Sequence, residues 1–191
     1  MTETLILPET QDRATRYHAL IPQIHALLQD EDDLIASLAN TAAGLFHGLN
    51  VLWAGFYLVK HDALVLGPFQ GPIACSRIKL GHGVCGQSWA QRKTIVVDDV
   101  DEFPGHIACS SASKSEIVVP IMRQNQVVGV LDIDSIHLKN FSDIDRVALE
   151  DLTRVLSTKF YASGGARRLA LKKALSRAEL AAARIPPRVT T

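Results

Sequence analysis

Little cysteine, little methionine and no excess charge of either sign mark this chain: three Cys, two Met, and 20 basic against 20 acidic residues among 191. A net charge of zero withholds the positive field that nucleic-acid binding draws on, so no nucleic-acid partner is expected. No stretch approaches the roughly 20 consecutive apolar residues of a spanning helix, and no membrane partner is expected. The opening Met-Thr-Glu-Thr-Leu-Ile-Leu-Pro has neither a basic n-region nor an apolar h-region, which indicates no secretory leader and a cytoplasmic location. Thiols there are kept reduced, so a disulfide is expected to be transient and catalytic rather than a staple. The spacings Cys75-x9-Cys85 and Cys85-x23-Cys109 also lack the paired short intervals of structural zinc sites, and no metal is expected. His82 reads as a surface turn residue and His106 as a border of the Cys109 loop.

What is present suits one domain with an appendage. Apolar residues make up 47% of the chain, enough to bury a core without disulfides. From Ala166 onward seven basic residues face one acid, a local +6 that residues 1–165 balance with −6. Gly164-Gly165 separates this tail, and the division expected is a domain over 1–163 and a basic extension over 164–191, helical or partly disordered. Helical spacing of Tyr17, Leu20/Ile21, Ile24 and Leu27/Leu28 predicts a helix over 12–28, kinked or restarted at Pro22. A second helix fits 32–47, carrying Leu34/Ile35, Leu38, Leu45 and Phe46 behind an acidic first turn. Short runs rich in Val, Ile, Leu and aromatics then follow: 51–59, 63–69, 76–79, 94–97, 116–122 and 127–134, about six strands. Residues 84–91 read as a short helix, and 123–126 as a hairpin turn. Ser142 with an acid three residues on resembles a capping box before a closing helix lined by Val147, Leu149, Leu152, Val155, Leu156 and Phe160. Helices, a block of strands and a last helix imply an α+β fold, with helices packed mainly on one face of an antiparallel sheet.

The candidate chemistry sits between those strands. Cys75, Cys85 and Cys109 lie in one 35-residue stretch, each in a Gly- or Ser-rich frame. Loop placement suits reactive thiols, and Cys109 has the hydroxyl and backbone donors expected around a tuned nucleophile. Asp132 and Asp134 are two apart in an otherwise apolar strand and therefore share a face. Burying two acids on one side is costly without a cationic ligand to offset it. Glu116 opens the strand after the Cys109 loop. Trp53 and Tyr57, four apart, also share a face.

Trp53-Ala-Gly-Phe-Tyr-Leu, Leu66-Gly-Pro-Phe-Gln-Gly, Gly83-Val-Cys85-Gly, Gly105-His-Ile-Ala-Cys109, Ser115-Glu-Ile-Val-Val-Pro and Gly129-Val-Leu-Asp132-Ile-Asp134-Ser form an ordered series. Over about residues 12–162 it resembles the free methionine-(R)-sulfoxide reductases, which are single GAF domains; Ser110 and Lys114 depart from the family pattern. The resemblance implies a GAF-like fold and reduction of free methionine-(R)-sulfoxide, with Cys109 attacking, Cys75 resolving and Cys85 auxiliary. It implies that Glu116, Asp132 and Asp134 hold the substrate amino group and offer an acid to the sulfoxide oxygen, with Trp53 and Tyr57 lining the pocket. It further implies no bound cofactor, thioredoxin as reductant and a homodimer paired through terminal helices. Two other classes stay open on the residues alone: a non-catalytic GAF module for a small ligand, and a redox-sensing regulator using the same cysteines.

Overall fold

The computed structural model describes residues 4–106 and 111–161. Cys109 and the basic extension 164–191 lie outside the described residues. The elements run α1 (Arg13–Gln29), α2 (Leu34–Leu49), β1 (Trp53–Lys60), β2 (Ala63–Gln70), β3 (Arg77–Lys79), α3 (Gly83–Gln91), β4 (Ile95–Val97), a 3-10 turn (Val100–Glu102), β5 (Ser115–Arg123), β6 (Gln126–Ser135) and α4 (Asp143–Tyr161). The strands form one sheet in the order β3-β2-β1-β6-β5-β4, every neighbouring pair antiparallel. Six strands and the α+β element order are therefore as expected from the sequence.

Alternation along the strands sends side chains to two different environments. Ala54, Phe56, Leu58, Ile117, Val119, Ile121, Leu131 and Ile133 face one core with the apolar sides of α1, α2 and α4. The other face carries a second, smaller core of Trp53, Tyr57, Leu64, Val118 and Val130, roofed by Val84 and Cys85 of α3. Among the described residues, then, three helices cover one face and α3 covers the other. That division creates the site.

Local chemistry sets the element ends. Asp12 caps α1 by accepting from the Thr15 amide at 2.8 Å, and Asp33 caps α2 from the Ala36 amide at the same distance. The acids ahead of α2 are thus a cap and its neighbour rather than an acidic first turn, which the helix lacks. Pro22 neither ends nor restarts α1, which runs through it. Burial of Tyr17, Leu20, Ile21, Ile24 and Leu28 along one stripe holds the helix together across the missing N–H. Ile35 and Val147, placed by spacing on apolar faces, are instead exposed at 53% and 37%. The β5–β6 hairpin turns through Gln124-Asn125 between the paired Arg123 and Gln126, with Gln124 left-handed at φ 55°.

At the start of α4 the Asp145 carboxylate reaches back to the Ser142 amide at 2.9 Å, half of a capping box. The Ser142 hydroxyl accepts from Ile144 rather than from residue 145. Asp145 is buried, accepts from the Tyr17 hydroxyl at 3.0 Å and pairs with Arg13 Nε at 3.2 Å, tying α1 to α4.

Candidate active site

Three central strands assemble the site by register. Trp53 of β1 stands opposite Asp134 of β6, which stands opposite Glu116 of β5. One row along, Gly55, Asp132 and Val118 are aligned the same way, and Tyr57 faces Val130 in the next. Because alternate residues share a face, Glu116, Asp132 and Asp134 converge on the side away from the three-helix core. Above them lies the first turn of α3, whose Gly83, Val84 and Cys85 border the hollow. Pro72, Ile73 and Ala74 form one rim, with His82, His106 and Ser113 elsewhere on the border.

An aromatic wall stands on the Trp53 side. The indole stacks on Phe69 at 5.3 Å between ring centroids and on Tyr57 at 6.0 Å. Its Nε1–H donates to the Pro72 carbonyl at 3.1 Å, which pins the ring and the 71–75 segment together. Gly55 makes the ring position available: a Cβ there would sit 2.5 Å from the indole and 2.3 Å from Phe69 Cβ. Gly71 turns the chain at φ 122°, where a Cβ would meet the Leu52 carbonyl at 2.6 Å.

The acids are held in an environment hostile to charge. Burial pushes the Glu116 carboxyl well above its usual range, with Asp132 and Asp134 adding to the effect. Burial likewise raises Asp132, assisted by Asp134 and opposed by hydrogen bonds with Cys85 and Glu116. Asp134 is pushed up to about 6 by burial, opposed by the Ser113 hydroxyl that donates to Oδ1 at 2.6 Å. Asp132 Oδ1 is buried and has no hydrogen-bond partner among the described residues. Burial first, then Asp132 and Glu116, lifts the Cys85 thiol well above its ordinary range, so it stays protonated. The Tyr57 hydroxyl is raised for the same reasons and remains an O–H donor. His106 Nε2 lies 3.8 Å from Glu116 Oε2, but burial lowers the imidazole while it raises the carboxyl. The contact is a neutral one rather than an ion pair.

Of the residues singled out from the sequence, Trp53, Tyr57, Cys85, Glu116, Asp132 and Asp134 all line this one hollow. Cys75 is half-buried beside the Pro72–Ala74 rim and is disulfide-bonded, whereas Cys85 is free and buried. His82, read as a surface turn residue, is indeed exposed at the α3 N-cap but also borders the hollow. Sequence reasoning missed Phe69, Ser113 and the rim residue Pro72. Phe69 had a usable signal in the Gly55 opposite it, since an aromatic facing a strand glycine marks a close approach. Ser113 had none, being one of several serines in a Ser-rich segment.

The arrangement can accept a cationic group against the acids, keep a proton on at least one carboxyl, and hold an apolar or sulfur-bearing chain on the aromatic wall. Among the described residues no helix is long and apolar enough to cross a membrane.

Comparison with known proteins agrees with this geometry. The sequence pattern of the GAF domain matches residues 29–158. The chain is similar to the free methionine-R-sulfoxide reductase of Escherichia coli, 48% identical over 156 residues, spanning 77% of this chain and 94% of that protein. GAF domain-containing protein A of Dictyostelium discoideum is 54% identical over 142 residues, with 74% and 90% covered. Among solved structures, the free methionine-R-sulfoxide reductase of Neisseria meningitidis in complex with its substrate superimposes with a TM-score of 0.80 at 46% identity, covering 91% of this chain and 99% of that one.

Proposed function

The chain belongs to the GAF-domain family and, within it, to the free methionine-R-sulfoxide reductases, and from that premise we propose that it reduces free methionine-(R)-sulfoxide to methionine with electrons from a dithiol. The observation that carries the reading is the convergence of Glu116, Asp132 and Asp134 under an aromatic wall, beside the segment that holds Cys75.

In this reading the substrate ammonium sits against Asp134, whose carboxyl is pushed up to about 6 and is therefore ionised at pH 7, and against the unpartnered Oδ1 of Asp132. The methyl and sulfur pack on Trp53, whose ring is held by Phe69 and Pro72. The Cys109 thiolate attacks the sulfoxide sulfur, and a proton retained by the Glu116–Asp132 pair goes to the oxygen. Methionine leaves, and Cys109 carries the oxygen as a sulfenic acid. The Cys75 thiol then attacks that sulfur, water departs, and a Cys75–Cys109 disulfide closes. An external dithiol reopens it by exchange, so one sulfoxide and one dithiol become methionine, water and one disulfide.

Cys75 is disulfide-bonded and Cys85 is free among the described residues, and Cys109 enters as the partner of Cys75 because the family resemblance implies it. Cys85, buried and protonated, serves as a hydrogen-bonding neighbour of Asp132 rather than as an attacking sulfur. The same reading takes thioredoxin as the physiological dithiol, places the enzyme in the cytoplasm and pairs it as a homodimer through its terminal helices.

Dithiol-dependent consumption of the separate R and S epimers of free methionine sulfoxide tests the proposal. The R epimer is consumed by the native protein and not by Cys109→Ser, while the S epimer is left. Failure of the native protein to consume the R epimer removes the reading. Binding without turnover points to a non-catalytic ligand module instead.

A further inference from the structure

Spacing along the chain argues against metal, yet folding gathers a metal-competent set that spacing could not reveal. One ligand atom from each of Cys85, Glu116 and Asp132, namely Sγ and two carboxylate oxygens, lie within 4.8 Å of one another. They come from α3, β5 and β6, and all three residues are buried. Asp132, 93% buried, lines the hollow, and its Oδ1 is buried with no hydrogen-bond partner among the described residues. His106 adds a nitrogen on the same wall, 3.8 Å from Glu116 Oε2.

We propose that Cys85, Glu116 and Asp132 bind a zinc-class divalent ion, with His106 or water in the fourth position, and that the ion competes with the substrate ammonium. The donor set selects the ion. Calcium and magnesium take oxygen ligands alone, whereas one thiolate with two carboxylates suits a borderline-soft d10 cation. Bond lengths of about 2.3 Å to sulfur and about 2.0–2.2 Å to oxygen place tetrahedral ligand atoms roughly 3.5 Å apart. From separations within 4.8 Å the atoms close by at most about 1.3 Å, within the reach of side-chain torsions. Binding replaces the thiol and carboxyl protons, which leave to solvent, and a dication balances negative charges that could not otherwise be buried together. The competition rests on the reductase reading; the ion site does not.

Cadmium is the probe, because its bond to a thiolate gives a sulfur-to-metal charge-transfer absorption. In protein kept free of reductant, Cys75 stays disulfide-bonded and Cys85 is the free thiol among the described residues, and the Cys85→Ser variant assigns the band to this site. The expected result is a band saturating at about one ion per chain, displaced by zinc but not by magnesium. Cys85→Ser abolishes the band, and Glu116→Gln weakens cadmium binding by about tenfold or more. Excess methionine, the product, right-shifts the cadmium titration. Absence of the band in the native protein overturns the site, as does its survival in Cys85→Ser or an unchanged affinity in Glu116→Gln. Metal-free turnover of the R epimer is measured in parallel. A band without turnover keeps the ion site and removes the reductase reading, while turnover without a band does the reverse.

Discussion

Asp134→Asn should make the protein more stable and a worse enzyme at the same time. Burial lifts the folded-state pKa of Asp134 from 3.8 to about 6. The unfolded chain releases that proton near pH 4, while the folded chain keeps it until about pH 6. Stability from this group is therefore complete below pH ~4 and is lost as pH rises through ~6. A shift of about two units at about 1.4 kcal/mol each puts the ionisation cost near 3 kcal/mol at pH 8. Asparagine keeps an acceptor for the Ser113 hydroxyl, now 2.6 Å from Oδ1, and carries no charge to desolvate. Loss of the charge-assisted hydrogen bond offsets part of the gain, leaving about 1–3 kcal/mol. Urea unfolding of the ligand-free, disulfide-closed protein measures it. The variant should exceed the native protein at pH 8, and the difference should shrink below about 1 kcal/mol near pH 4. KM for the sulfoxide should rise about tenfold or more, since an ammonium loses its counter-charge. A variant no more stable at pH 8, or a difference independent of pH, refutes the claim that this carboxylate is held against its own ionisation.

Other substitutions probe the frame around the site. Asp145→Ala leaves Arg13 and the buried Tyr17 hydroxyl without their shared partner, and should cost about 3 kcal/mol or more in urea unfolding. Gly55→Ala drives a methyl into the Trp53 ring and Phe69, at 2.5 and 2.3 Å, and should cost about 1–3 kcal/mol. Tryptophan fluorescence should shift with it, because the ring has nowhere to go but toward the hollow. Pro22→Ala restores an N–H on the exposed side of α1 and should stabilise by about 1 kcal/mol or more, read as a rise in Tm.

Much of this was legible because strand and helix periods expose their faces. Phe56 and Leu58 against Trp53 and Tyr57 already sort β1 into two sides, and Asp132 with Asp134 marks one side of β6. What no single strand contains is register. Only the pairing of Asp134 with both Trp53 and Glu116 makes three scattered residues into one wall. Cys85 illustrates a second gap: its nearness to Asp132 depends on α3 crossing the sheet, a tertiary fact with no local signature. The restart at Pro22 and the acidic first turn of α2 were misread for a related reason, since propensity describes an isolated segment while burial and capping decide the folded one. Ile35 and Val147 fit helical spacing yet face outward, because the apolar stripe of each helix is narrower than its apolar content.

A single turnover tests the central claim most directly. Fully reduced protein is mixed with one equivalent of free methionine-(R)-sulfoxide, the methionine formed is quantified, and the disulfide is mapped by mass spectrometry after thiol blocking. The account predicts about one methionine per chain, a bond between Cys75 and Cys109, and Cys85 recovered as a blocked thiol. No methionine, or a bond that enlists Cys85 in place of Cys75, would contradict it.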